Sequence, residues 1–177
     1  MRKILNLLPL VTFGILVVVL YSFLTQENNQ LESVLVDQSV PEFRLPELEN
    51  PENLISKYSI NKLPALINVW ATWCPACMVE HPFLMKLKNE STLTIYGLNY
   101  KDDRKKALDL LNNEGNPFEF SIFDKQGKLA IDLGVYGAPE TFFVDKEGII
   151  RERHVGELTQ KVWKEKFEKY LKEDNDA

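Results

Sequence analysis

The chain has 177 residues, a formal net charge of −5, 45% hydrophobic and 27% charged residues, and two cysteines. That length suits one ordinary domain with an appendage, and that composition suits a globular core, so wholesale disorder is excluded. A disulfide-built miniprotein would need far more cysteine, and the acidic balance argues against nucleic acid as the main partner, because phosphate binding wants clustered Lys and Arg.

From Ile4 to Leu24 no residue is charged, and Val17, Val18, Val19 and Leu20 run together. A helix needs about 20 predominantly apolar residues to cross a bilayer. Asn6, Pro9 and Gly14 weaken the stretch without forbidding it. Arg2 and Lys3 precede it, whereas Glu27, Glu32 and Asp37 follow, which puts the N-terminus in the cytoplasm and the remainder across the membrane. A buried core helix and a cleaved signal peptide are the rival readings. Tyr21–Thr25 offers no clear small-x-small cleavage site, so residues 1–25 are read as an uncleaved transmembrane signal anchor. Residues 26–38 read as a polar linker and residues 39–177 as one folded domain. Without Arg2 and Lys3, the exported part holds 19 basic and 26 acidic residues, a net charge of −7.

Val40–Pro46 alternates and carries two prolines, which suits an edge strand or a short hairpin. Ala65–Trp70 is a nearly continuous apolar run, as a buried parallel strand would be. A helical pattern follows, on which Cys77, Phe83, Leu84 and Leu87 share an inward stripe and Pro82 imposes a kink. Thr92–Leu98 reads as a second strand, Arg104–Asn113 as a helix and Phe120–Phe123 as a third apolar segment ending in a turn. Thr141–Val144 and Ile149–His154 suit a hairpin, and Thr159–Leu171 an amphipathic helix with Val162, Trp163, Phe167 and Tyr170 inward. That order predicts an α/β fold, a sheet covered on both faces by helices.

Cys74 and Cys77 sit two residues apart, directly after the Ala65–Trp70 strand. A structural disulfide closing so small a loop would remove little chain entropy. A zinc site needs four ligands, for which only His81, His154 and carboxylates are at hand. A redox dithiol needs what is present, a pair opening a helix whose N-terminus stabilises a thiolate. On this reading Cys74 is the exposed attacking thiolate and Cys77, one turn in, resolves the mixed disulfide. Trp73 and Pro75 flank the nucleophile. Glu80 lies three residues after Cys77, where a partly buried carboxyl has a raised pKa and can pass a proton to or from it. His81 is expected to pack or cap. Ala138-Pro139-Glu140-Thr141 precedes a strand, and residue physics alone leaves Pro139 open between an edge proline and a cis-proline.

Taken together, these residues resemble the thioredoxin superfamily. Trp70-Ala71-Thr72-Trp73-Cys74-Pro75-Ala76-Cys77 matches its W-x-x-W-C-x-x-C motif. Asn99–Asp103, Leu133–Phe142 and Gly148–Arg151 are similar to the DsbE/CcmG group, over about residues 38–172. The resemblance implies a thioredoxin-like fold, a central mixed sheet flanked by helices, with an added N-terminal hairpin behind a single N-terminal transmembrane helix. It implies a thiol:disulfide oxidoreductase of the bacterial inner membrane, single-pass with its C-terminal domain in the periplasm, that reduces apocytochrome c or a partner thiol protein during cytochrome c maturation. Electrons would come from a DsbD-type transmembrane carrier, and no cofactor or metal is implied beyond the redox-active disulfide. Carried over by motif, Cys74 and Cys77 are the redox pair, Glu80 the acid of the active-site helix, Pro139 the cis-proline and Glu140 the groove glutamate. Asn61-Lys62-Leu63-Pro64 departs from the family's G-K-P ahead of the strand. The rivals are a general periplasmic oxidase or isomerase, a peroxiredoxin-type peroxidase, whose peroxidatic cysteine lacks a partner two residues on, and a non-enzymatic apocytochrome or haem chaperone using His154.

Overall fold

The computed structural model describes residues 8–25, 35–90 and 93–173, and the chain divides into two compact units, Met1–Glu32 and Ser33–Ala177. In the first unit the uncharged stretch forms helix α1 over Leu8–Thr25, 18 residues with large apolar side chains such as Phe13, Val18 and Tyr21 exposed. Eighteen residues rise about 27 Å, against a hydrocarbon core of about 30 Å. Among the described residues no helix is long and apolar enough to cross a membrane, so the expected transmembrane helix is not shown. Most of the expected linker, residues 26–34, lies outside the described residues.

In the second unit, contacts begin before residue 39: Asp37 N–H donates to Ile150 O, and its carboxylate meets Arg151 at 2.7 Å. Strands β1 (Arg44–Pro46) and β2 (Leu54–Ser56) pair antiparallel, giving the expected N-terminal hairpin. A five-stranded mixed sheet follows, made of β3 (Ala65–Trp70), β4 (Thr94–Tyr100), β5 (Ser121–Asp124), β6 (Glu140–Val144) and β7 (Ile150–Val155), in the spatial order β5-β4-β3-β6-β7. β3 runs parallel to β4, and β4 to β5; β6 is antiparallel to β3 and to β7. Every residue of β3 is buried, which is why its sequence is apolar without alternation except at Asn68.

Period-2 geometry divides the strand side chains between two cores. Leu66, Trp70, Ile95 and Phe143 pack with Leu84 and Leu87 of α2 (Pro75–Glu90), Ala107 and Leu111 of α3 (Arg104–Glu114), and Trp163 and Phe167 of the last helix. On the opposite face Ala65, Ile67, Val69, Tyr96 and Leu98 pack with Leu129 and Ala130 of α4 (Lys128–Asp132) and with Ile55 of the hairpin. Helix α4 was not expected from the sequence; it is five residues long and held by Asp124, whose carboxylate accepts from Lys128 N and Ala130 N. The last helix, α5, comprises Gln160–Val162, a π turn over Trp163–Phe167 and Glu168–Glu173. Pro82 does not interrupt α2.

One cross-strand row is polar. Ser121, Gly97, Asn68, Thr141 and His154 align in register across all five strands, on the face that α2 covers. The absence of a side chain at Gly97 matters here, because a Cβ would stand 2.3 Å from Ser121 Oγ and 2.8 Å from Trp70 Nε1.

Candidate active site

The α2 N-terminus lies at the C-terminal end of β3. Pro75 is its first residue, a position where a fixed φ helps and a missing N–H costs nothing. Cys74 therefore stands at the N-cap, and its Sγ accepts from the Cys77 N–H at 3.1 Å, as a capping side chain does. When the pair is reduced, that N–H and the helix dipole favour a thiolate on Cys74. In this structure the two sulfurs are joined as a disulfide, with Cα atoms 5.3 Å apart.

Cys74 is 2% exposed and Cys77 3%, which corrects the expectation of an exposed first thiol. Oxidation ties the Cys74 sulfur to its buried partner, and the N-cap geometry turns it toward the helix. Accessible surface at the site comes from its neighbours, Trp73, which is 52% exposed, and Pro75.

Glu80 is buried at 2% exposure, one turn beyond Cys77 on the same side of α2. Its Oε1 accepts from Asn68 Nδ2 at 2.9 Å and its Oε2 from Leu158 N at 2.7 Å. Burial raises its carboxyl from 4.5 to about 7, against the two hydrogen bonds that pull it down. A carboxyl poised there exchanges protons readily near neutral pH. His81 packs as expected, its Nε2 3.0 Å from Gly115 O. His154, the residue the chaperone reading needed, is 9% exposed with Nε2 3.1 Å from Glu157 O, and burial lowers its pKa. It presents no open imidazole to a haem.

Pro139 follows a cis peptide bond from Ala138, which closes the question the residues alone left open. Glu140 differs from expectation. It is fully buried; Oε1 accepts from Tyr136 N and Gly137 N, and Oε2 is paired with Arg153 at 2.7 Å. Arg153 also donates to Gly134 O, and its guanidinium lies 4.8 Å from the Tyr136 ring centroid. Glu140 thus braces the loop before Pro139 from inside instead of lining an open groove, and a cation compensates its charge.

A family model described as Redoxin matches residues 35–171. The chain is 46% identical to the thiol:disulfide interchange protein DsbE of Pseudomonas aeruginosa, over 94% of this chain and 92% of that protein. The chain belongs to the redoxin family, with DsbE-type relatives. It is also 45% identical to the Escherichia coli K12 protein of the same description, with 97% of each chain covered. Among solved structures, a secreted thiol-disulfide isomerase from Corynebacterium glutamicum superposes with a TM-score of 0.65 at 23% identity, over 78% of this chain and 92% of that one. The fold is thioredoxin-like, and a redoxin domain with this disulfide is a thiol:disulfide oxidoreductase.

Three residues of this redoxin site escaped the sequence reading. Asn68 breaks the apolar run of β3, and its interruption of a buried strand was the available signal. Arg153 sat in a strand alternating charged residues, where nothing distinguished the one that turns inward. Asp102 is 8% exposed and accepts hydrogen bonds from Thr72, Asn99 and Asp103; in sequence it was one of two adjacent acids after β4.

Proposed function

We propose that this redoxin is a membrane-anchored periplasmic reductant of apocytochrome c disulfides, or of a partner thiol protein, in cytochrome c maturation. The observation that carries the reading is the Cys74–Cys77 pair capping α2 above Glu80, whose carboxyl burial holds at about 7. DsbE-named relatives that match nearly the whole chain support it. For the anchor, the support is the charge-free stretch Ile4–Leu24 behind Arg2 and Lys3, most of which helix α1 covers.

In the reduced protein the Cys74 thiolate attacks one sulfur of the substrate disulfide. The substrate S–S bond breaks, an S–S bond to Cys74 forms, and one substrate thiolate leaves. Cys77 then attacks the Cys74 sulfur, freeing the second substrate thiol and leaving the disulfide seen here. Two electrons pass to the substrate. Glu80 accepts the Cys77 proton as that thiol becomes nucleophilic, a role its position and raised pKa support. A DsbD-type dithiol carrier returns two electrons to restore the pair.

Cys77→Ser tests the reading, because loss of the resolving thiol leaves the mixed disulfide at Cys74. The expected adduct carries a peptide with the haem-attachment cysteines or a maturation thiol protein. Absence of any adduct in a strain with normal cytochrome c maturation overturns the proposal. Capture spread over many periplasmic substrates instead returns the protein to a general oxidase or isomerase.

A further inference from the structure

The loop after β4, beside the end of its parallel neighbour β3, holds the two residues that precede the nucleophile. Asp102 Oδ2 accepts from Thr72 N at 2.7 Å and from Asn99 Nδ2 at 3.0 Å. Its Oδ1 accepts from Thr72 Oγ1 at 2.5 Å and from Asp103 N at 2.8 Å. One residue earlier, Lys101 O accepts from the Trp73 indole Nε1 at 3.2 Å, and the Trp73 ring leans on Tyr100 at 6.2 Å between centroids. Lys101 adopts the left-handed conformation, φ 48°, and its own N–H is fixed to Asp124 O. A residue with a side chain is held there only when its surroundings over-determine it. Cys74 N–H in turn bonds Ala71 O, closing the turn that Thr72 and Trp73 occupy.

We infer that Asp102 and the carbonyl of Lys101 form a clamp that positions Cys74 for thiol exchange, with Asp102 a positioning residue acting through Thr72. Sulfur transfer requires the three sulfurs close to a line, so small rotations of the turn before Cys74 misdirect the attack. A carboxylate taking both the N–H and the hydroxyl of Thr72 fixes that turn in two directions, which no single hydrogen bond does. The inference rests on the thiol:disulfide activity and is independent of which substrate is served.

The test uses Thr72→Val, which removes the hydroxyl while keeping shape and the backbone N–H bond, Thr72→Ser, which restores the hydroxyl, and Asp102→Ala. The readouts are the rate at which the reduced protein exchanges with a small aromatic disulfide and the pH profile of Cys74 alkylation by iodoacetamide in Cys77→Ser backgrounds, alongside the unfolding midpoint. The clamp predicts that Thr72→Val slows exchange by about threefold to tenfold, the net worth of one typical hydrogen bond. It also predicts that the alkylation profile moves to higher pH as the Cys77 N–H contact loosens. Thr72→Ser is expected to restore both, and Asp102→Ala to lose more than Thr72→Val. If Thr72→Val lowers the unfolding midpoint yet leaves exchange rate and alkylation profile at parent values, the clamp is structural only and the inference fails. Should Asp102→Ala not fold, the Thr72 pair still decides.

Discussion

Glu80 hangs from Asn68 by a hydrogen bond of 2.9 Å, and the Asn68 Oδ1 atom on the other side of that amide is buried without a partner. This asymmetry makes Glu80→Gln an unusually clean substitution. The new amide N–H can be accepted by Asn68 Oδ1 after a flip of the Asn68 side chain, so the fold is expected to survive.

The sign of its effect follows from the direction of the shift. Folding raises the Glu80 pKa from 4.5 to about 7, so the folded state holds the proton more tightly than the unfolded chain. The stability that this proton contributes is full below about 4.5 and is lost as pH rises through about 7. The shift corresponds to about 3 kcal/mol between the two limits. Chemical denaturation of the parent is expected to show stability falling over that window, and Glu80→Gln to flatten this part of the curve. Its thiol exchange is expected to lose the pH step near neutrality. An exchange profile identical to the parent's would return Glu80 to a purely structural acid.

The pairing of Glu140 with Arg153 leads to a second prediction. Arg153→Ala leaves a fully buried carboxylate uncompensated, and breaking such a pair costs about 3–5 kcal/mol. Adding Glu140→Gln to Arg153→Ala removes the stranded charge and is expected to recover part of the loss. Urea denaturation of the two single variants and the double variant measures this coupling. A strictly additive double variant would show that the two residues act separately.

A third prediction concerns the nucleophile. With the Glu140 charge offset by Arg153, Glu80 on α2 and Asp102, which holds Thr72, are the acids that oppose a thiolate on Cys74, while the Cys77 N–H favours it. The Cys74 pKa is expected to lie below that of a free thiol, about 8.5, yet well above the about 3.5 of a strong oxidant such as DsbA. Thiolate absorbance during a pH titration of the reduced domain reads it directly, and a value at the DsbA level would argue against a reductant.

Gly97 supplies a fourth. Gly97→Ala places a methyl 2.3 Å from Ser121 Oγ, with the rigid Trp70 indole at 2.8 Å preventing an easy retreat. Overpacking of this kind costs about 1–3 kcal/mol. Combining it with Ser121→Gly removes the closest atom and is expected to restore part of the unfolding midpoint.

Much of this architecture was legible in the residues. β3 was read at its observed limits because a strand buried on both faces is a nearly continuous apolar run, interrupted here only by Asn68. The redox pair was legible because its spacing and its place after that strand admit few chemistries. What escaped depends on tertiary pairing. The five residues of α4 are too few for a periodic signal, and their cap comes from Asp124. The exposure of Cys74 was misjudged because sequence position fixes the helix end but not the direction in which the N-cap sulfur turns. Glu140 was read as a groove acid by carry-over from the family motif, and nothing local opposed that, because its partner Arg153 lies on the next strand, 13 residues on, among charged residues of equal standing.

The polar row from Ser121 to His154 carries a consequence for anyone redesigning this domain. Its central polar members, Asn68 and Thr141, are the places where a stability-minded engineer would install valine or leucine, since they lie on the inner strands β3 and β6. Asn68 in that row is also what holds the working carboxyl of Glu80. Gains in melting temperature made there would therefore be drawn from the same residues that tune the reaction, so a hardened version of this protein is expected to be a slower one.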